Sequence, residues 1–218
     1  MKNNLLEYIR KSTENAGIYY LNDIPVWAED PLPDYINLRQ VLLDVAKRLP
    51  NIYLKYIQAI RIGIFEEMLE KELNALYKDG VLYVSNMQDN NTDMLDDIID
   101  EIAHAVEEHN HDLVYGDEGV FLEYGLLKSE GYDVTIEQFL TTTYDYDFDM
   151  FLFQDIGYPV LETLTLGLFL SPYSVTSINE YFAVGFENFY MGEASYIKKI
   201  CPILLKKLYH LDELTYDH

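Results

Sequence analysis

The stretch Asp96-Asp97-Ile98-Ile99-Asp100-Glu101-Ile102-Ala103-His104-Ala105-Val106-Glu107-Glu108 decides the fold. It is predicted to form one amphipathic helix, because apolar residues recur at positions 95, 98, 99, 102, 103 and 106, the spacing of a core-facing helix. Asp100 and His104 are four residues apart, so their side chains project from one face of that helix. The same face carries apolar neighbours, where ionisable groups are unfavourable unless they are paired or bind a metal. The helix is therefore a candidate metal-binding element.

Length and composition indicate a globular protein with an unusual charge. The chain has 218 residues, of which 49% are hydrophobic and 24% charged, so it can bury a substantial core. Its 38 acidic and 15 basic residues give a formal net charge of -23. That charge disfavours binding to nucleic acid or to an anionic membrane, and it favours either a cationic protein partner or a simple role in solubility.

Three further features of the sequence concern its compartment and its surface. The single cysteine, Cys201, excludes an internal disulfide framework and is predicted to be a core residue of a protein in a reducing compartment. The amino terminus lacks a secretory apolar run, and the apolar segment 159–170 is too short to span a bilayer and contains Glu162. We therefore expect a soluble, non-exported chain, whose 20 tyrosines favour a protein-interaction surface.

The fold class predicted from these patterns is α+β, mostly helical, with a small mixed sheet packed on the helix that contains Asp100 and His104. Residues 1–218 are expected to form a single domain with a helical part (1–50), a part with strands and the motif helix (51–115) and a second helical part (116–218). The segment 22–34 is predicted to be an extended connection because it contains three prolines. Periodicity predicts strands at 57–64 and 81–84, and helices at 1–12, 35–48, 66–77, 121–128, 136–141, from 177 and at 196–208.

The motif Asp100-Glu101-Ile102-Ala103-His104, followed by Tyr173 and by Glu180-Tyr181-Phe182-Ala183-Val184-Gly185-Phe186, resembles the gluzincin metallopeptidases of the anthrax lethal factor type. In that family a Glu opens an E-x-F-A-x-x-F helix, and a Tyr stands seven residues before it. The resemblance implies that Asp100, His104 and Glu180 bind zinc or another divalent metal. It also implies that Glu101 is the general base, that Tyr173 stabilises the oxyanion, and that strand 81–84 is the sheet edge that pairs with a peptide.

The sequence departs from the family pattern at Asp100, where the zinc helix H-E-x-x-H has its first His. Two His and one Glu leave a Zn²⁺ site with a charge of +1, whereas Asp, His and Glu leave it neutral. A neutral site activates a bound water less strongly. We therefore expect a metal-binding zincin-like protein that is weak or inactive as a peptidase, with an active zinc metallopeptidase as the alternative.

Other interpretations of these residues stay open at the level of the sequence. Glu180 also completes a capping box that begins at Ser177, and Tyr173 could be a packed aromatic residue. His104, Glu108 and His111 would share a face if the motif helix continued past Asn110. The acidic run 144–149 could hold Ca²⁺, although it lacks the glycine and terminal Glu of an EF-hand loop, so a solvated or partner-facing strip is the favoured interpretation.

Residues 79–199 also resemble an uncharacterised family of virion proteins from tailed bacteriophages. This resemblance implies a structural virion protein of the head or neck region, located in the virion and, during assembly, in the host cytoplasm. Its implied partners are other virion proteins (portal, neck or capsid) in an oligomeric assembly, with no direct contact to nucleic acid or membrane. The structural role and the peptidase role are the two functions that the sequence leaves to be distinguished.

Overall fold

A computed structural model describes residues 17–131, 143–192 and 194–214, so the helices predicted at 1–12 and 136–141 lie outside the described residues. The chain forms two compact units, residues 1–105 and 106–218. The α+β class is confirmed, since the structure combines a five-stranded mixed sheet with many helices.

The first unit is built on the five-stranded sheet, whose strand order is β1-β2-β3-β5-β4. The pairs β2/β3 and β3/β5 are parallel, whereas β1/β2 and β4/β5 are antiparallel. The elements of this unit are β1 (Ile18–Leu21), β2 (Ile24–Ala28), α1 (Leu38–Arg48), α2 (Asn51–Leu54), β3 (Ala59–Gly63), α3 (Glu66–Glu70), β4 (Ala75–Lys78), β5 (Val81–Ser85) and the motif helix α4 (Asn91–His109), whose last turn extends beyond residue 105.

One face of the sheet forms the core of the first unit. Ile60 and Ile62 of β3 alternate with the more exposed Arg61, and both isoleucines are fully buried together with Val26, Leu82 and Val84. This period-two alternation is the pattern that predicted the strand at 57–64, and β3 confirms it. The turn between β4 and β5 contains Asp79 and Gly80 with φ of 52° and 81°, the left-handed conformation that a tight two-residue hairpin requires.

Helix α4 has the amphipathic character that the sequence predicts. Ile98, Ile99 and Ile102 are fully buried, and the helix begins at Asn91. Asn90 caps its N-terminus: the side-chain oxygen of Asn90 accepts hydrogen bonds from the backbone N–H groups of Thr92 and Asp93, at 2.7 and 3.1 Å. Asn90 precedes the first helical residue, where an Asx side chain satisfies the exposed N–H groups best.

Three predictions about the first unit were wrong. The segment 22–34 contains strand β2, in which Pro25 pairs with β1 one residue before the parallel ladder to β3 begins at Val26. The helix predicted at 66–77 ends at Glu70, and the chain continues into β4, because pairing with β5 outweighs the local helical spacing. The third prediction made strand 81–84 the edge of the sheet, but β5 lies inside the sheet and the edge strand on that side is β4.

The second unit is helical in its described residues. Its elements are α5 (His111–Tyr115), α6 (Gly119–Gly131), α7 (Tyr146–Met150), a π-helix (Phe151–Ile156), α8 (Tyr158–Thr165), a 3₁₀ turn (Tyr173–Val175), α9 (Ile178–Met191), α10 (Ala194–Ile200) and α11 (Pro202–Glu213). The helix predicted from 177 is confirmed as α9. The single helix predicted at 196–208 is two helices, because Pro202 lacks the N–H needed to continue α10.

The core of the second unit surrounds a buried carboxylate. Glu123 of α6 is 6% exposed and accepts hydrogen bonds from the backbone N–H groups of Ile203 and Leu204, at 2.7 and 2.9 Å. It also accepts a hydrogen bond from the hydroxyl of Tyr181, with 2.9 Å between the two oxygen atoms. The N-cap residue of α11, Cys201, makes no capping bond through its own side chain. Glu123 thus performs the capping role from a neighbouring helix and joins α6, α9 and α11.

Among the helices that the structure describes, none combines the length and the apolar composition needed to cross a membrane.

Candidate metal centre

Helix α4 supplies two of the three predicted metal ligands. Asp100 and His104 lie one turn apart, with 3.7 Å between Asp100 Oδ2 and His104 Nε2. Their side chains are 28% and 22% exposed, so both are partly withdrawn from water and still reachable by an ion. The i, i+4 spacing thus has the consequence predicted from the sequence, a carboxylate and an imidazole side by side.

Glu180 lies in the first turn of α9 and is half-buried. Ser177, the N-cap residue of this helix, accepts a hydrogen bond through Oγ from the backbone N–H of Glu180 at 3.1 Å. The cap predicted at Ser177 is therefore present. It fixes the backbone at Glu180 and still allows the side chain to act as a metal ligand.

Asp100, His104 and Glu180 each offer one ligand atom, and the three atoms lie within 4.8 Å of one another. Ligands around a tetrahedral Zn²⁺ at its usual bond lengths are roughly 3.4 Å apart. The separation of 3.7 Å between Asp100 and His104 is close to that value. Two carboxylates and one imidazole are a donor set that suits a divalent metal. No other group of three potential ligands meets this distance in the described parts of the chain.

The last turn of α4 is bonded to the first turn of α9 through Glu107. This side chain is 3% exposed, and its Oε1 accepts a hydrogen bond from Asn179 Nδ2 at 2.8 Å and another from the hydroxyl of Tyr115. Glu107 stands three residues after His104, and Asn179 directly precedes Glu180. The bond therefore restrains the two helix segments next to the ligands, the kind of support from outside the ligand shell that metal sites require.

Glu101, the predicted general base, is 8% exposed and bonded to the edge of the sheet. Its Oε2 accepts a hydrogen bond from the backbone N–H of Tyr77, in the middle of β4. Tyr77 is opposite Leu82 of β5, and its N–H points away from β5. One oxygen of Glu101 therefore occupies a backbone donor that a peptide added to this edge would use.

Tyr173, the predicted oxyanion stabiliser, begins the 3₁₀ turn before α9 and is half-buried. Its backbone carbonyl accepts hydrogen bonds from the N–H of Thr176 at 3.0 Å and from Thr176 Oγ1 at 2.8 Å. These bonds fix the turn that leads into the Ser177 cap. The structure thus places Tyr173 on the segment that enters the Glu180 helix, as the spacing of seven residues requires.

Sequence reasoning missed Asp97, one turn before Asp100. Its Oδ2 accepts a hydrogen bond from Gln88 Nε2 at 2.7 Å. Burial raises the pKa of Asp97 to about 6, and the charge of Asp100 adds to the increase. Burial likewise raises the pKa of Asp96, whose Oδ1 has no hydrogen-bond partner among the described residues. Further negative charge on this side of α4 is therefore unfavourable, and a cation close to Asp100 would reduce the repulsion between Asp100 and Asp97.

The structure also bears on the other metal interpretations. Helix α4 ends at His109 and His111 begins a separate helix, so the continuous helix that a shared face of His104, Glu108 and His111 would need is absent from this described part of the chain. In the run 144–149, Asp145 caps α7 by accepting from the N–H of Phe148. The hydroxyl of Tyr144 donates to Asp149 at 2.7 Å. These carboxylates have protein partners of their own.

A groove of about 530 Å³ lies on the first unit, beside Arg61, Phe65 and Tyr83. Arg61 forms a two-point ion pair with Glu29, and Glu67 binds the ammonium groups of Lys71 and Lys78 at 2.8 and 2.7 Å. Four of the six charged residues that line the groove, Glu29, Arg61, Glu67 and Lys78, are thus engaged in ion pairs.

The chain matches no family model, no curated protein and no solved structure. The site must therefore be interpreted from its own chemistry.

Proposed function

We propose that this chain is a zincin-like metal-binding protein in which Asp100, His104 and Glu180 hold one divalent ion. The observation that supports this proposal is the convergence of the three ligand atoms within 4.8 Å. A carboxylate–imidazole pair on one helix and a carboxylate at the start of another provide three ligands, the number that a zinc site needs before water or substrate completes it. Zn²⁺ is the first candidate, and the two carboxylates also suit harder divalent ions.

The same ligand set favours weak peptidase activity or none. Bound zinc would supply Lewis-acid polarisation of a water or a carbonyl, and a neutral ligand set weakens that effect. Glu101 would act as the base, yet one of its oxygens is bonded to Tyr77. Such a bond both holds the carboxylate in place and reduces its freedom to accept a proton.

For the role of the protein, we propose a structural component of a bacteriophage particle in which the metal joins helices α4 and α9. The support is the resemblance of residues 79–199 to virion proteins, together with the departure from the peptidase motif at Asp100. An ion held by residues from two helices stabilises the folded chain, because the unfolded chain does not present the three ligands together.

The experiment that tests this function is a zinc titration of protein stripped of metal with a chelator. We expect one ion per chain, with affinity reduced at least about 100-fold in each of the variants D100A, H104A and E180A. The matched control H111A should retain the affinity, since His111 lies outside the cluster. Equal binding by the wild type and the three ligand variants would refute the site.

A second measurement separates the structural role from catalysis. We expect zinc to raise the melting temperature of the wild type and to leave the melting temperature of D100A unchanged. Metal-loaded wild type and E101Q should both fail to cleave a mixture of unstructured peptides. Robust cleavage that disappears in E101Q would instead establish the active peptidase.

A further inference from the structure

The segment 144–166 of the second unit exposes an unusual number of large apolar side chains. Seven of them are between 47% and 75% exposed: Tyr144, Tyr146, Phe151, Phe153, Val160, Leu164 and Leu166. They belong to α7, the π-helix, α8 and the residues next to them. Large exposed apolar groups rimmed by polar residues are typical of surfaces that bind a partner. We call this the 144–166 surface.

The charges of the same segment are all negative. It contains Asp145, Asp147, Asp149, Asp155 and Glu162, and no Lys, Arg or His. The imbalance extends along the chain, since the sequence between Lys128 and Lys198 has eleven acidic residues and no basic one. Lys128 does reach this segment, with its ammonium 5.8 Å from the ring centroid of Phe148, but it is only 7% exposed. The surface therefore presents apolar and acidic groups together and no exposed cation among the residues that the structure describes.

We propose that the 144–166 surface is a docking site for a cationic, amphipathic segment of another protein. Such a segment places apolar side chains against the exposed aromatic and aliphatic groups and basic side chains against the five carboxylates. A second copy of this chain is a poor occupant, because it would bring five more acidic groups against the first five. An anionic membrane would be repelled for the same reason.

One residue of the docking surface, Tyr144, is influenced by the charge of Glu180 in the first turn of α9. The charge of Glu180 contributes to raising the pKa of the Tyr144 hydroxyl, after burial and the bond to Asp149, so Tyr144 lies within electrostatic range of Glu180. The docking proposal does not depend on a bound metal, so it is tested on chelator-treated protein.

The test uses the whole chain and a fluorescent synthetic helix made of Leu and Lys in an amphipathic pattern, with binding followed by anisotropy. A peptide with Glu in place of every Lys is the control. We expect saturable binding of the Lys peptide alone, weakened at least about tenfold when salt rises from 0.05 to 0.3 M. Equal binding of the two peptides, or none by either, would overturn the proposal.

Variants locate the binding surface. The triple variant D147N/D155N/E162Q should weaken binding about tenfold. The triple variant D23N/E66Q/E70Q, which neutralises three carboxylates of the first unit, should not weaken it. Both sets remove three exposed charges, so the comparison separates local attraction from the net charge of -23. An equal loss in both sets would contradict the proposal.

The apolar part of the surface has its own matched pair. The double variant L164S/L166S should weaken binding about tenfold, and L43S/L69S should leave it unchanged, since all four leucines are exposed. Circular dichroism of each variant checks that it is folded. Light scattering should show that the free wild-type protein does not self-associate through this surface. Self-association of the wild type that disappears in L164S/L166S would instead identify a second copy of the chain as the occupant.

Discussion

Glu123 provides the most demanding test of the second unit, because its carboxylate binds three donors at once. Replacing it with Ala removes the acceptor for the N–H groups of Ile203 and Leu204 and for the hydroxyl of Tyr181. The first helical residue of α11 is Pro202, which has no N–H, so Glu123 accepts from the first two N–H groups that the helix start offers. The substitution therefore leaves the start of α11 uncapped inside the core.

The magnitude follows from those contacts. A buried donor left without a partner costs about 1–3 kcal/mol, and removing a negative charge from a helix N-terminus adds up to about 1–2 kcal/mol. Water entering the cavity would satisfy part of this loss. We therefore expect E123A to lower the free energy of unfolding by about 4 kcal/mol. E123Q keeps one carbonyl acceptor and should lose about 2 kcal/mol.

Urea unfolding followed by far-ultraviolet circular dichroism measures the effect, since the second unit is helical. The midpoint should fall in the order wild type, E123Q, E123A, with an unchanged dependence on urea. E162A is the matched control, because Glu162 is exposed and should change the free energy by no more than about 0.5 kcal/mol. An E123A midpoint equal to that of E162A would refute the capping role of this carboxylate.

Three further predictions concern the candidate metal centre. Burial raises the pKa of Asp97 to about 6, above the ordinary 3.8, so its contribution to stability is present at low pH and lost as pH rises through 6. D97N should therefore be more stable than metal-free wild type by roughly 2 kcal/mol at pH 7 and equal to it near pH 4, measured by urea unfolding. N179A and E107Q should each weaken zinc binding about 10–100-fold in the titration, because the bond between Asn179 and Glu107 supports the ligands from outside. E101Q should retain zinc affinity within about threefold, since Glu101 lies outside the ligand cluster.

Each of these predictions has a control and a contradicting result. D89N removes an exposed acid and should show no pH-dependent difference; a D97N difference that persisted at pH 4 would exclude titration as its cause. N188A changes an asparagine nine residues further along α9 and should keep the zinc affinity. Loss of apo-protein stability in N179A without any change in zinc affinity would assign Asn179 a purely structural role. A zinc affinity that depended on Glu101 would place this residue in the ligand shell.

The sequence predicted the parts of the fold that depend on long or regular patterns. The apolar period of α4 and the serine cap of α9 each act locally, so they can be identified from residue spacing. The break between α10 and α11 also had a local signal in Pro202, which the predicted continuous helix overlooked.

The missed elements depend on partners far away in sequence. Strand β4 follows helix α3 and Glu72, a residue with φ of 55°, and it becomes a strand through pairing with β5. Strand β2 forms within the proline-containing segment because it pairs with β1 on one side and with β3 on the other. Pairings of this kind leave no clear signal in a single sequence.

Two buried carboxylates, one beside the candidate site and one in the core of the second unit, were missed for a related reason. Glu107 and Glu123 look like ordinary acids on helices, and only the fold shows that each is buried among donors. Asp100, His104 and Glu180 were found because two of them share a helical spacing and the third stands in a recognisable motif. Residues whose role depends on their spacing in the sequence could be predicted, whereas residues whose role depends on tertiary packing could not.

The most direct measurement of the central claim is a crystal structure of the zinc-loaded protein with anomalous diffraction recorded on both sides of the zinc absorption edge. We expect one anomalous peak within about 2.0–2.2 Å of a carboxylate oxygen of Asp100, a ring nitrogen of His104 and a carboxylate oxygen of Glu180. A zinc-loaded crystal whose peak lies at His109 or His111, with nothing between Asp100 and Glu180, would contradict the metal centre.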